Sequence, residues 1–123
     1  MRIDALDTIE VLPCAVRTAT ANGSAVDIRE YVGRLALTLM SAAASAGDTL
    51  DVKVQDSANG SSGWADISGA AFTQVTSAAD AHESISIDTN AAKRYIRVVA
   101  TIAGNGGESI ACGVTAFGQQ QSF

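Results

Sequence analysis

Apolar and polar residues alternate with a period of two along most of this chain, which predicts strands rather than helices. In "RLALTLMSA", Leu35, Leu37 and Leu39 fall on one face and Ala36, Thr38 and Met40 on the other. "LDVKVQD" sets Leu50, Val52 and Val54 against Asp51, Lys53 and Gln55, the pattern of a strand with one face in water. Ile85 and Ile87 alternate with Ser84, Ser86 and Asp88; Ile96, Val98, Ala100 and Ile102 alternate with Tyr95, Arg97, Val99 and Thr101. Ile110, Cys112, Val114 and Ala116 align along a last strand. Shorter candidates at residues 25–28, 64–67 and 72–76 bring the expected total to about eight strands.

Clusters of Gly, Asn, Asp and Ser separate these runs at the spacing of an antiparallel sandwich or barrel. Helical periodicity is not sustained: residues 76–82 and 88–92 read as connections, the second with Asp88 or Thr89 as its cap. The expected fold is all-β, an antiparallel β-sandwich such as a jelly roll. Its predicted core is Leu35, Leu37, Leu39, Val52, Val54, Ile85, Ile87, Ile96, Val98, Ile110 and Val114. A length of 123 residues, 47% of them hydrophobic, suits one two-layer domain.

The small, polar "TATANGS" suggests a boundary near Thr20. Residues 20–123 then form a single sandwich, and residues 1–19 are either an N-terminal arm or its first strand. In "MRIDALDTIEVLPCAV", Ile3, Leu6, Ile9, Val11 and Leu12 interleave with Asp4, Asp7 and Glu10, and neither strict alternation nor a full helix accounts for that order. A segment that becomes ordered on a partner has such a pattern. A terminal strand that ties down the chain end is the alternative.

Charge narrows the function classes. Eight Lys and Arg against 13 Asp and Glu give a net charge of −5, which repels phosphate backbones, so no direct nucleic-acid partner is expected. The N-terminus lacks the continuous apolar run of a signal peptide and no stretch reaches the roughly 20 apolar residues that span a bilayer, so the expectation is a cytosolic product with no membrane partner. Cys14 and Cys112 match no metal-ligand spacing and are expected as reduced, buried thiols.

Candidate chemistry is sparse. The stretch "DSANGSSG" offers oxygen ligands in Asp56, Asn59 and Ser61, with Asp66 beyond, but Ala58 occupies a ligand position of the calcium-loop pattern. Asn22-Gly23, Asn59-Gly60 and Asn105-Gly106 each separate strand candidates and are expected as turns of positive φ. Asn22 and Asn59 also start Asn-x-Ser sequons, which matter only in a secreted protein. "GNGGES", residues 104–109, lacks the Gly-Lys-Ser/Thr ending of a P-loop and is expected as a hairpin loop. His82, the single histidine, falls in an alanine-rich connection with no orienting partner and is expected as an exposed loop residue. Trp64 is expected as a core plug; a sugar-stacking platform, the alternative, would need further coplanar aromatics. No catalytic, cofactor or metal residue is indicated, and no enzyme is expected.

Taken together, "LDVKVQDS…GSSGWADI…AFTQV", "KRYIRV" and the final "GVTAFGQ" resemble the tailed-bacteriophage head decoration (cementing) protein family, in the same order over nearly the full chain. The resemblance implies a β-sandwich or β-tulip-like domain that docks from outside on the major capsid protein, as a homotrimer, and stabilises the shell without catalytic or cofactor residues. It implies a structural virion protein on the capsid exterior, made in the host cytoplasm. On that reading Ile3, Leu6, Ile9, Val11 and Leu12 are the candidate capsid contacts. Another phage structural sandwich (tail, baseplate or head fibre) and a carbohydrate-binding module using Trp64 are the alternatives.

Overall fold

The computed structural model describes residues 6–104 and 109–120. The alternating runs become strands β1 (Leu6–Arg17), β2 (Ala21–Asn22), β3 (Val26–Asp27), β4 (Tyr31–Ser41), β5 (Thr49–Ser57), β6 (Ala65–Ala71), β7 (Ala81–Asp88), β8 (Tyr95–Ala103) and β9 (Ile110–Gln120). They build two antiparallel sheets, β1-β9-β4-β7 and β2-β8-β5-β6, with β3 continuing along β8 beside β2. Because β2 and β3 share one edge of β8, the nine segments occupy eight strand positions. The chain passes between the sheets in the order of a jelly roll.

Between the sheets lies the core. Ten of the eleven predicted core residues are buried, and Ile85, the remaining one, packs partly buried against them. Val11, Leu12, Ile28, Leu50, Phe72, Val75, Ala100, Cys112 and Ala116 join them. Each fully buried Leu, Ile or Val stabilises by about 1.5–3 kcal/mol relative to leaving it in water. The small side chains therefore act through number, not size.

The irregular N-terminal pattern has a physical cause. β1 is an edge strand on β9, and its register shifts between Glu10 and Leu12 and again between Leu12 and Ala15. A bulge breaks the alternation, so Val11 and Leu12, adjacent in sequence, are both buried at 1% exposure. Pro13 sits at the second irregularity, where an edge strand tolerates a missing N–H.

Other expectations are corrected locally. Residues 72–76 form no strand: Phe72 N–H donates to the Val52 carbonyl (2.9 Å), and Val75 exchanges backbone bonds with Leu50 (2.9 and 3.0 Å), which drops two apolar side chains onto the core. His82 lies within β7 rather than in a connection. No helix occurs among the described residues. The turn after β7 is capped as expected, since Asp88 Oδ1 accepts the Asn90 N–H at 2.9 Å. Asn22-Gly23 is no turn: the Gly23 N–H donates to the Val98 carbonyl at 2.7 Å, and a Cβ there would come within 2.2 Å of the Val11 carbonyl oxygen. Asn105-Gly106 and the end of "QQQSF" lie outside the described residues.

Candidate binding face

Outward-facing positions of the β1-β9-β4-β7 sheet follow from the register. Met40 stands opposite Gly113 on β9 and His82 on β7, Thr38 opposite Thr115 and Ser84, and Ala36 opposite Phe117 and Ser86. Across the two central strands the outer face therefore reads Ala111, Gly113, Thr115, Phe117, Ala36, Thr38 and Met40, uncharged from Ala36 to Met40, with Arg34 following toward the start of β4. Val16 is opposite Ala111 and Val32 opposite Gln119 on the same face. All three exposed large hydrophobics among the described residues, Val16 (65%), Met40 (59%) and Val32 (37%), thus share one face of one sheet.

A groove of about 320 Å³ runs across it, lined among others by Glu10, Cys14, Met40, His82, Gly113 and Phe117. Gly113 makes the groove possible. A Cβ there would meet the Cys14 Cα at 2.9 Å, so the bulged β1 backbone leans over a position that carries no side chain. Polar ties between β4 and β7 on this face are Thr38 Oγ1 to Ser84 Oγ at 2.8 Å and Arg34 Nε donating to Ser86 Oγ at 2.9 Å. Such a surface loses few water contacts that matter when a partner covers it.

The opposite sheet presents different chemistry. The Arg97 guanidinium lies 4.5 Å from the Trp64 ring centre, and its Nε donates to Gln55 Oε1 at 3.0 Å. Gln55 Nε2 in turn donates to Asp66 Oδ1 at 2.8 Å, and Lys53 Nζ donates to Asp66 Oδ2 at 3.0 Å. These two donors, Gln55 first, hold the Asp66 carboxyl below its usual value. Covering this network would strip water from paired charges, which costs free energy that the pairs already recover in solvent. Trp64 is half-buried beneath Arg97. It is neither the expected core plug nor a free stacking platform.

The five candidate contact residues are placed as follows. Ile3 and the side chain of Leu6 lie outside the described residues. Ile9 is partly buried against the core, and Val11 and Leu12 are inside it. Thr8, Glu10, Pro13, Cys14, Ala15 and Val16 are the exposed positions of the same strand. Of the two cysteines, Cys112 is buried as expected and Cys14 is exposed. Among the described residues no three His, Cys, Asp or Glu side chains are grouped to hold a metal ion.

The β5–β6 loop is built by side chains. Asn59 Oδ1 accepts the N–H groups of Ser61 (3.0 Å) and Ser62 (2.9 Å), while Ser57 Oγ accepts that of Gly60 (3.1 Å). Positive φ belongs to Gly60 (76°) and Gly63 (67°), and at Gly60 a Cβ would press on the Tyr95 ring at 3.0 Å.

No family model matches the chain, and no curated protein matches it. Solved structures do. A chain of the Bacillus endospore appendages, described as disulfide-linked pili, aligns at 15% identity and TM-score 0.52 over 95% of this chain and 88% of that one. The VP2 subviral particle of infectious bursal disease virus aligns at 14% identity and TM-score 0.57 over 94% of this chain; the alignment spans 32% of the VP2 chain, about a third of its length. The SPBc2 prophage-derived protein YomS aligns at 9% identity and TM-score 0.49 over 96% and 97%. At these identities the likeness is one of fold.

Proposed function

We propose that this chain is a structural subunit of a tailed-bacteriophage virion that binds the outside of the capsid as a decoration or cementing protein, without enzymatic activity. The observation that carries the reading is the outer face of the β1-β9-β4-β7 sheet, where Val16, Val32 and Met40 are exposed together around uncharged central positions and the charges, Glu10, Arg34 and Asp88, stand on β1, at the start of β4 and at the end of β7. The resemblance of "LDVKVQDS…GSSGWADI" and "KRYIRV" to the decoration family supports it, as does a jelly roll of the kind that occurs in a VP2 subviral particle. The homotrimeric state and the major capsid protein as partner come from that resemblance.

The docking surface in this proposal is the face and not the buried side chains of β1. Val11 and Leu12 cannot serve a shell and this core at once. A carbohydrate-binding role for Trp64 is disfavoured because Arg97 already occupies its ring face. The test is binding to purified shells that lack decoration. Met40→Asp and Val16→Asp should each weaken binding at least about tenfold, since each places a charge in a covered apolar contact, while Lys53→Ala on the other sheet should leave it unchanged. Wild-type binding by both aspartate variants would remove the face from consideration.

A further inference from the structure

A second surface feature concentrates positive charge on an acidic molecule. Where the β3–β4 connection meets the β7–β8 turn, a hollow of about 210 Å³ is lined by Arg29, Lys93 and Arg94 around an apolar floor that includes Ile28, Val32 and Ala92. Three of the chain's eight basic residues meet there, and no Asp or Glu lines it. The two connections are strapped together. The Ile28 N–H donates to the Arg94 carbonyl at 2.9 Å, and the Lys93 N–H donates to the buried Asp56 carboxylate at 3.0 Å.

Asp27 stands behind this wall. Its Oδ2 receives Arg94 Nη2 at 2.9 Å and its Oδ1 receives the Arg29 N–H at 3.0 Å, so it fixes two of the three basic residues while neutralising about one charge. The Arg94 guanidinium also lies 5.1 Å from the Tyr95 ring centre. Arg29 and Lys93 are exposed, and among the described residues their side chains make no hydrogen bond or close ion pair. Two cations thus remain available on a frame that other bonds hold in place.

We infer that this hollow binds a short acidic segment of a partner protein, one carboxylate side chain between Arg29 and Lys93 and an adjacent apolar side chain on the floor. A carboxylate matches the forked guanidinium and the ammonium, and the apolar floor favours a peptide side chain over a sugar-phosphate. A long polyanion would also face the net charge of −5 beyond the hollow, whereas a short segment feels mainly the charges within a Debye length of about 8 Å. The inference does not depend on which face docks, although Val32 links the hollow to the outer face of the β1-β9-β4-β7 sheet.

The experiment is a titration of the ¹⁵N-labelled full chain, followed by amide chemical shifts. The probes are the capped peptide acetyl-Leu-Asp-Glu-Leu-amide, its counterpart acetyl-Leu-Asn-Gln-Leu-amide, and a ten-residue oligothymidylate. Saturable shifts at residues 28–32 and 89–94 are expected with the acidic peptide and not with the amide peptide. Arg29→Gln combined with Lys93→Gln should weaken that binding roughly tenfold, with an unchanged melting temperature because both side chains are exposed. The inference is overturned if those amides do not respond, if the amide peptide or the double variant binds equally well, or if the oligonucleotide binds there more tightly. None of those results bears on shell binding, which keeps the two readings separate.

Discussion

The hydroxyl of Tyr31 on β4 donates a 2.7 Å hydrogen bond to Asp7 Oδ2 on β1, reaching past β9 at Gly118. A Cβ at Gly118 would lie 2.5 Å from Leu35 Cδ1 and 2.7 Å from Tyr31 Cδ1. Glycine is therefore what lets a tyrosine two strands away tie down the start of an edge strand. Tyr31→Phe is expected to cost about 1 kcal/mol and to speed hydrogen exchange first in the opening residues of β1. Gly118→Ala should cost about 1–3 kcal/mol through overpacking, with the whole sheet affected in a denaturant melt.

Asn59 makes a separate prediction. Its side chain, and not its backbone conformation, organises the β5–β6 loop, because Oδ1 accepts two backbone N–H groups and Asn59 itself does not have positive φ. Asn59→Gly should then destabilise by about 1 kcal/mol rather than act neutrally. Asn59→Asp keeps the acceptor and should cost less; equal stability of all three proteins in urea would contradict this account.

Much of the fold was legible because period two survives wherever a strand pairs regularly on one wet face. The runs at Leu35, Val52, Ile96 and Ile110 gave strands and core together. β1 was harder to read, since its bulge puts Val11 and Leu12 on the same side and the stretch then resembles neither strand nor helix. Phe72 and Val75 reach the core from irregular backbone, which has no period at all. The uncharged centre of the binding face was written in the sequence as Ala36, Thr38 and Met40, in contrast to Asp51, Lys53 and Gln55. Only the sheet order, with β4 beside β9, shows that the bland positions form a continuous surface. The basic hollow could not be read, because Arg29 and Lys93 are distant in sequence and meet through two connections at one end of the sandwich.

Acid should act through the same end. The Arg94 side chain, hydrogen bonded to Asp27, is the largest cause holding that carboxyl below its usual value of 3.8. A folded-state pKa below the unfolded one adds stability that is fully present above the unfolded value and is lost as pH falls through the folded value. The pair is substantially exposed, at 41% and 36% of the side chains, so solvent screening limits the contribution to less than about 1 kcal/mol. Arg94→Gln should therefore reduce stability slightly at pH 7 and not at pH 2. Urea melts at the two pH values measure this; a deficit that is as large at pH 2 as at pH 7 would show that Arg94 acts by packing alone.

The two thiols should separate by reactivity. Cys112 faces the core from β9, and burial, the largest influence on it, raises its thiol above the usual 9.0, with the nearby Arg17 only partly opposing this. Attack requires both thiolate and access, and Cys112 has little of either. Cys14 is exposed on β1 beside the groove floor at Gly113. In native, unreduced protein at pH 8, one of the two thiols should titrate rapidly with an aromatic disulfide reagent, and both should do so after denaturation. Cys14→Ser should abolish the fast phase while changing stability by less than about 0.5 kcal/mol, as for a surface substitution. Cys112→Ser should keep the fast phase and cost about 1–3 kcal/mol, because it exchanges a buried sulfur for a more strongly hydrated hydroxyl. Equal native rates for both thiols would mean that β1 opens from β9 faster than the reagent reacts, and the edge strand would then be far less firmly held than its register with β9 and the Tyr31–Asp7 bond require.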